Sequence, residues 1–167
     1  DFNLDELHKH AFREKISQVL AGREPHEIPY LKAYALLQER MGNLQAALVA
    51  WQHLKAVFAA NDQTGHEFEA EGNLHLAKLL QRLARPREAV EALRAVPVKE
   101  PLTEVMTETL DQRVCLAAAM GDWKEMGELK AQAVELKSLP TVLVIAHELA
   151  THERRVEALN FLTQAER

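Results

Sequence analysis

The sequence predicts an all-α chain, a stacked array, or solenoid, of about four helix pairs behind one N-terminal helix. Three observations carry this. Alanine and leucine dominate the 167 residues, while the β-branched and aromatic residues favoured in strands are sparse. One turn pattern recurs four times, as Gly42-Asn43-Leu44-Gln45-Ala46-Ala47, Ala84-Arg85-Pro86-Arg87-Glu88-Ala89, Gly121-Asp122-Trp123-Lys124-Glu125-Met126 and Glu153-Arg154-Arg155-Val156-Glu157-Ala158. Each copy lies between two apolar stretches at helical spacing. All six prolines fall at predicted element boundaries, where a missing N–H costs least.

Taken in order, Leu4, Leu7, Ala11, Phe12, Ile16, Val19 and Leu20 recur mostly at steps of three and four, an amphipathic N-terminal helix over 1–22 ended by Gly22. Residues 23–29 read as a turn carrying Pro25 and Pro29. Helices over 30–41 and 44–60 form the first pair, within a repeat spanning 28–61. The run Asn61-Asp62-Gln63-Thr64-Gly65 is a loop by composition. The second repeat, 65–97, holds helices over 66–83 and 86–96, with Pro86 at the start of the second. Pro97 and Pro101 bracket the next connection. The third repeat, 102–137, holds helices over 103–120 and 122–136; the fourth, 139–166, opens at Pro140 with helices over 141–150 and 154–165. Gly72 and Gly127 fall inside helices, where each costs about 1 kcal/mol relative to alanine unless it marks a close helix crossing. No long structureless linker interrupts the array, so one domain over 1–167 is expected.

Each pair also repeats a packing pattern. Small residues at Ala35, Gly42 and Ala47 are followed by the bulky Trp51; Ala77, Ala84, Ala89 and Leu93 repeat the sequence of sizes. Small residues let two helices approach while the bulky one fills the groove between successive pairs. The third copy is degenerate, with Val114, Met126 and Lys130, and the fourth recovers Ala146, Ala158 and Leu162 but has Glu153 at its turn. This pattern resembles the tetratricopeptide repeat over residues 28–167. The turns at 42, 84, 121 and 153 are spaced 42, 37 and 32 apart, against about 34 in that family. The longer, uneven period is similar to arrays attached to some large bacterial transcription activators and signalling ATPases.

The resemblance implies a right-handed superhelix whose first helices line a concave, partner-binding face. Carried over position by position, it places Lys32, Leu36, Glu39 and Arg40 on that face in the first repeat, and Glu71, Leu74, His75, Lys78, Gln81 and Arg82 in the second. Glu108, Asp111, Gln112 and Cys115 follow in the third, and Leu143, Val144 and His147 in the fourth. The peptide-binding set expected from these is Lys32, Leu36, His75, Lys78, Arg82, Asp111 and His147. Lys32, Lys78 and Arg82 make the early part basic, whereas Glu108 and Asp111 make the third repeat acidic. The clamp by which some family members grip a chaperone's C-terminal carboxylate is not expected: of its five positions only Lys32 survives, and Glu108 would repel a carboxylate.

Bulk composition narrows the function classes. Hydrophobic residues make up 47% and charged residues 27%, an ordinary soluble balance. A net charge of −5 argues against a broad phosphate-binding surface, and the small basic spot of Arg82, Arg85 and Arg87 is diluted by Glu67, Glu69, Glu71 and Glu88, so no nucleic acid is expected. No apolar run approaches the roughly 20 residues of a membrane helix, and no signal peptide is visible. The chain starts at Asp1 without methionine and reads as trimmed or excised, which weakens that last point. The single Cys115 rules out an internal disulfide and fits a reducing cytoplasm.

Catalytic and metal motifs do not assemble. His147 and His152 are five apart, not the four that turns two imidazoles to one zinc on a helix; His8 and His10 point in nearly opposite directions. Glu67, Glu71 and His75 share a helical face with Lys78 nearby; acid–base chemistry is one reading, a solvated charged face the favoured one. Cys115 lacks the context of a nucleophile, glycine-rich phosphate loops are missing, and Trp51 and Trp123 sit at packing positions. The expectation is a non-enzymatic scaffold without cofactor or metal that binds a protein or peptide segment. The alternative is a regulatory or oligomerisation segment of a larger bacterial transcription activator or signalling ATPase. Val156, Leu159 and Leu162 form an apolar stripe, so self-association through the C-terminal end is also expected.

Overall fold

The computed structural model describes residues 28–60 and 66–166. The expected N-terminal helix over 1–22 and the loop over 61–65 lie outside the described residues, as does the side chain of Glu67. All regular structure among the described residues is helical: α1 Ile28–Arg40, α2 Leu44–Ala60, α3 His66–Arg82, α4 Pro86–Arg94, α5 Glu104–Met120, α6 Trp123–Glu135, α7 Leu139–Thr151 and α8 Arg155–Ala165. The chain divides into two compact units, Asp1–Ala84 and Arg85–Arg167.

Local chemistry accounts for the boundaries. Proline lacks the N–H that a first helical turn leaves unpaired. The helices expected to begin after Pro29 and Pro140 therefore take those prolines into their first turn, starting at Ile28 and Leu139. Thr103 caps α5 by accepting the Met106 N–H at 3.3 Å, and Asp122 caps α6 by accepting the Glu125 N–H at 3.1 Å.

The four recurring turns share one backbone device. Gly42, Ala84, Gly121 and Glu153 all take a left-handed conformation, with φ of 76°, 57°, 67° and 64°. At three of them two reversed hydrogen bonds close the helix end: Gly42 N–H to the Glu39 carbonyl with Asn43 N–H to Gln38, and the equivalent pairs at Gly121–Asp122 and Glu153–Arg154. Lys137, between α6 and α7, uses the same closure at φ 49°. Only glycine adopts this conformation without a Cβ clash, so Ala84, Lys137 and Glu153 carry strain of roughly 1–2 kcal/mol each.

In the first unit α2 packs against both α1 and α3. Ala35, Ala47, Trp51, Leu54, Ala77 and Leu79 are at most 1% exposed, so the small residues and the bulky indole of the repeat pattern are core. Gly72 lies against Trp51, whose ring carbon is 3.8 Å from where a Cβ would stand; Gly127 has nothing within 4 Å and marks no helix crossing. In the second unit α5 packs on α4, α6 and α7, and α7 on α6 and α8. Leu110, Val114, Met126, Leu129, Ile145, Leu149 and Phe161 form its core. Lys130, in the place of a bulky apolar residue, sets its ammonium 5.6 Å over the Phe161 ring while pairing with Glu157 at 2.9 Å.

Candidate functional site

In the first unit the facing sides of α1 and α3 are joined by two charged contacts. Lys32 Nζ donates to Glu71 Oε2 at 2.6 Å, and His75 Nδ1 lies 3.0 Å from Glu39 Oε1. The Trp51 indole N–H from α2 donates to that same Glu39 oxygen. The His75 ring stacks on the Trp51 ring at 4.4 Å between centroids and 9° between planes. A carboxylate only accepts, so this contact requires a ring proton on Nδ1. Glu39 thus ties three helices through one oxygen, and His75 keeps 19% of its side chain open to solvent.

Of the residues expected on this face, Lys32, Leu36 and Lys78 are half-buried and Arg82 is exposed. Lys32 and His75 each face a carboxylate, so the face is less basic than a count of its cations implies. Sequence position placed Glu39 and Glu71 on the same face without showing which charges they meet.

In the second unit α5 and α7 run side by side, joined by Thr141 Oγ1 donating to Asp111 Oδ1 at 2.8 Å and by Cys115 Sγ lying 3.8 Å from Glu148 Oε1. Thr141 is fully buried and accepts in turn from the Ser138 hydroxyl at 2.9 Å. Burial pushes the Asp111 carboxyl above its ordinary range, against the Thr141 hydrogen bond, and the Glu108 charge adds to the rise. Burial also raises the Cys115 thiol, followed by the charge and hydrogen bond of Glu148 and the charge of Asp111. A raised thiol is a poor nucleophile. His147 is exposed on α7, while His152 directs Nδ1 to the Glu148 carbonyl at 2.9 Å and meets the Trp123 ring edge-on at 5.6 Å. Arg154 covers the Trp123 face at 4.2 Å, a packing role for that aromatic.

One charged centre escaped the sequence reading. Glu125 is 4% exposed and holds two arginines, Arg113 at 2.6 Å and Arg94 at 2.8 Å. Burial works to raise its carboxyl, but the hydrogen bonds from Arg94 and Arg113 outweigh it and the group lies below the ordinary range. In the sequence Glu125 figures only as a member of the third turn pattern, because its arginines come from other helices, 31 and 12 residues away. Among the described residues no three histidine, cysteine, aspartate or glutamate side chains gather to hold a metal, and no helix is long and apolar enough to cross a membrane. Comparison with protein-family models, with curated proteins and with solved structures finds no match.

Proposed function

We propose that the chain is a non-enzymatic protein- or peptide-binding scaffold of the tetratricopeptide kind, a right-handed helical solenoid acting in the cytoplasm. The observation that carries the reading is the left-handed residue at the same place in all four turns, at 42, 84, 121 and 153. A recurring turn that sets helix against helix is the unit from which repeat arrays are built, and such arrays present their first helices as a binding surface. Within the first unit α1 and α3 meet through Lys32–Glu71 and Glu39–His75; within the second, α5 packs on α7. Each unit thereby offers its own surface, with Lys32, Leu36, His75, Lys78 and Arg82 in the first and Asp111 and His147 in the second.

The first surface suits a peptide bearing an acidic group beside an apolar one, and contacts this near water are modest and salt-sensitive. Affinity capture from the native cell supplies the partner. The double change Lys78→Glu with Arg82→Glu should then weaken its binding about tenfold or more while helicity and Tm stay near wild type. Unaltered affinity would remove this surface from the site. A second reading, an oligomerisation or regulatory segment of a larger transcription activator or signalling ATPase, is favoured by Val156 and Leu159 on α8, 73% and 66% exposed. Concentration-dependent light scattering that Leu159→Ser abolishes would support it.

A further inference from the structure

We infer that the second unit carries a small-molecule site for an apolar monocarboxylate, in a cleft between the ends of α6 and α8 with Lys137 at its rim. The site goes beyond the scaffold reading and is separate from the helix faces proposed for a protein partner. α7 packs on both α6 and α8, and Lys130 of α6 reaches α8 by meeting Glu157 and the Phe161 ring. One turn beyond that bridge a cavity of about 400 Å³ opens. Ala133, fully buried, and Val142, 4% exposed, make its floor, while Val134 and Leu139 stay 41% and 66% exposed at its edge. Large apolar side chains left in water around a concavity mark a ligand site better than they mark ordinary surface. At roughly 30 Å³ apiece, the share of one water molecule, the space holds about a dozen non-hydrogen atoms.

Charge selects the ligand. Two lining side chains are polar, Lys137 and Gln164, and no carboxylate is among them. The turn between α6 and α7 fixes where Lys137 stands. Its N–H bonds to the Val134 carbonyl at 3.1 Å and the Ser138 N–H to the Ala133 carbonyl at 3.0 Å, so the closure is tied to two residues of the cleft wall. Lys130 is held by Glu157, whereas among the described residues no carboxylate lies within ion-pair distance of Lys137. Glu100, which shares a second and more open cleft with Lys137, stays outside that distance too. An unpaired ammonium and a neutral amide donor beside apolar walls match one negative group at the end of a short apolar chain. A cationic headgroup would be repelled there, and an uncharged one would leave Lys137 unmet.

The test uses the full 167-residue chain and octanoate, which fits within the cavity, with octanol and octyltrimethylammonium as its neutral and cationic counterparts. Amide NMR titration with octanoate should shift Val134, Lys137, Leu139 and Ala165. Octanoate should bind about fivefold more tightly than octanol, less so as salt rises, and the cation most weakly. Lys137→Gln should remove the preference for octanoate and leave octanol binding unchanged. Lys137→Gly suits the left-handed backbone at φ 49°; it should also remove the preference while Tm holds or rises, which separates lost charge from lost fold. Ala165→Phe fills the cleft and should weaken all three ligands. Should that variant not fold, Leu139→Ser, at an exposed site, must still weaken them severalfold. Equal affinity for the three ligands, no binding of octanoate below its micellar range, or shifts confined to other helices overturns the inference. Tighter binding of a tripeptide ending in a leucine carboxylate would give the cleft to a protein C-terminus and overturn it as well. So would self-association that Ala165→Phe abolishes, which would give the cleft to a second copy.

Discussion

Glu39 and Glu125 show how single carboxylates hold helices together here. The Trp51 indole is 1% exposed, and its N–H has Glu39 as acceptor. Glu39→Ala leaves that donor buried without a partner and should cost about 1–3 kcal/mol. Glu39→Gln keeps an oxygen to accept it and should cost less, a difference that thermal melts of the two variants would read. Ala89 is fully buried at a small-residue position of the repeat. Ala89→Leu should overpack that site by about 1–3 kcal/mol, and a melt indistinguishable from wild type would refute this use of the alanine. Glu125→Ala strands Arg113, whose side chain is 13% exposed. The loss should be about 2–3 kcal/mol, below the roughly 3–5 kcal/mol of fully buried pairs because Arg94, 44% exposed, is solvated.

At the scale of elements the turns decide. Gly121 and Glu153 occupy equivalent left-handed sites, and a substitution should change sign between them. Gly121→Ala should destabilise by about 1 kcal/mol, since it gains a Cβ clash. Glu153→Gly should be neutral to about 1 kcal/mol stabilising, as relief of strain competes with the added freedom of the unfolded chain. Denaturant midpoints would check both, and loss of stability in Glu153→Gly would mean that the Glu153 side chain does more than tolerate the turn.

For the second unit as a whole, acid should be destabilising with a traceable cause. Glu125 and Glu157 titrate below their ordinary range in the fold, Glu157 chiefly because Lys130 donates to it. A depressed carboxyl contributes stability that is full above its unfolded pKa and is lost as pH falls through the folded one. Stability should therefore drop below the usual carboxylate range, about pH 4, and the drop should be shallower in Glu125→Gln. Asp111 works the other way: its raised carboxyl makes the fold less stable as pH rises through its folded pKa, so Asp111→Asn should hold or raise stability at neutral pH. Melts across the acid range for the three proteins would separate these contributions.

Helix identity, turn position and the burial of Ala35, Ala47, Trp51, Ala77 and Ala89 were all legible in the sequence. These features repeat at the three- and four-residue spacing of a helix and are punctuated by glycine and proline, which is local information. Two non-glycine turns, at Ala84 and Glu153, were legible only by analogy with Gly42 and Gly121, because nothing in alanine or glutamate asks for a positive φ. Pairing of charge was decided by tertiary structure. Lys32 meets Glu71 39 residues away, Glu39 meets His75 36 away, and Glu125 takes Arg94 from 31 away. The helical spacing of a side chain tells which face it shares, whereas its partner depends on which helix packs there and at what height. The sequence placed Lys32 among the cations of the binding face and assigned Glu125 no role; in the fold α3 sets Glu71 beside Lys32, and α4 and α5 enclose Glu125 with two arginines.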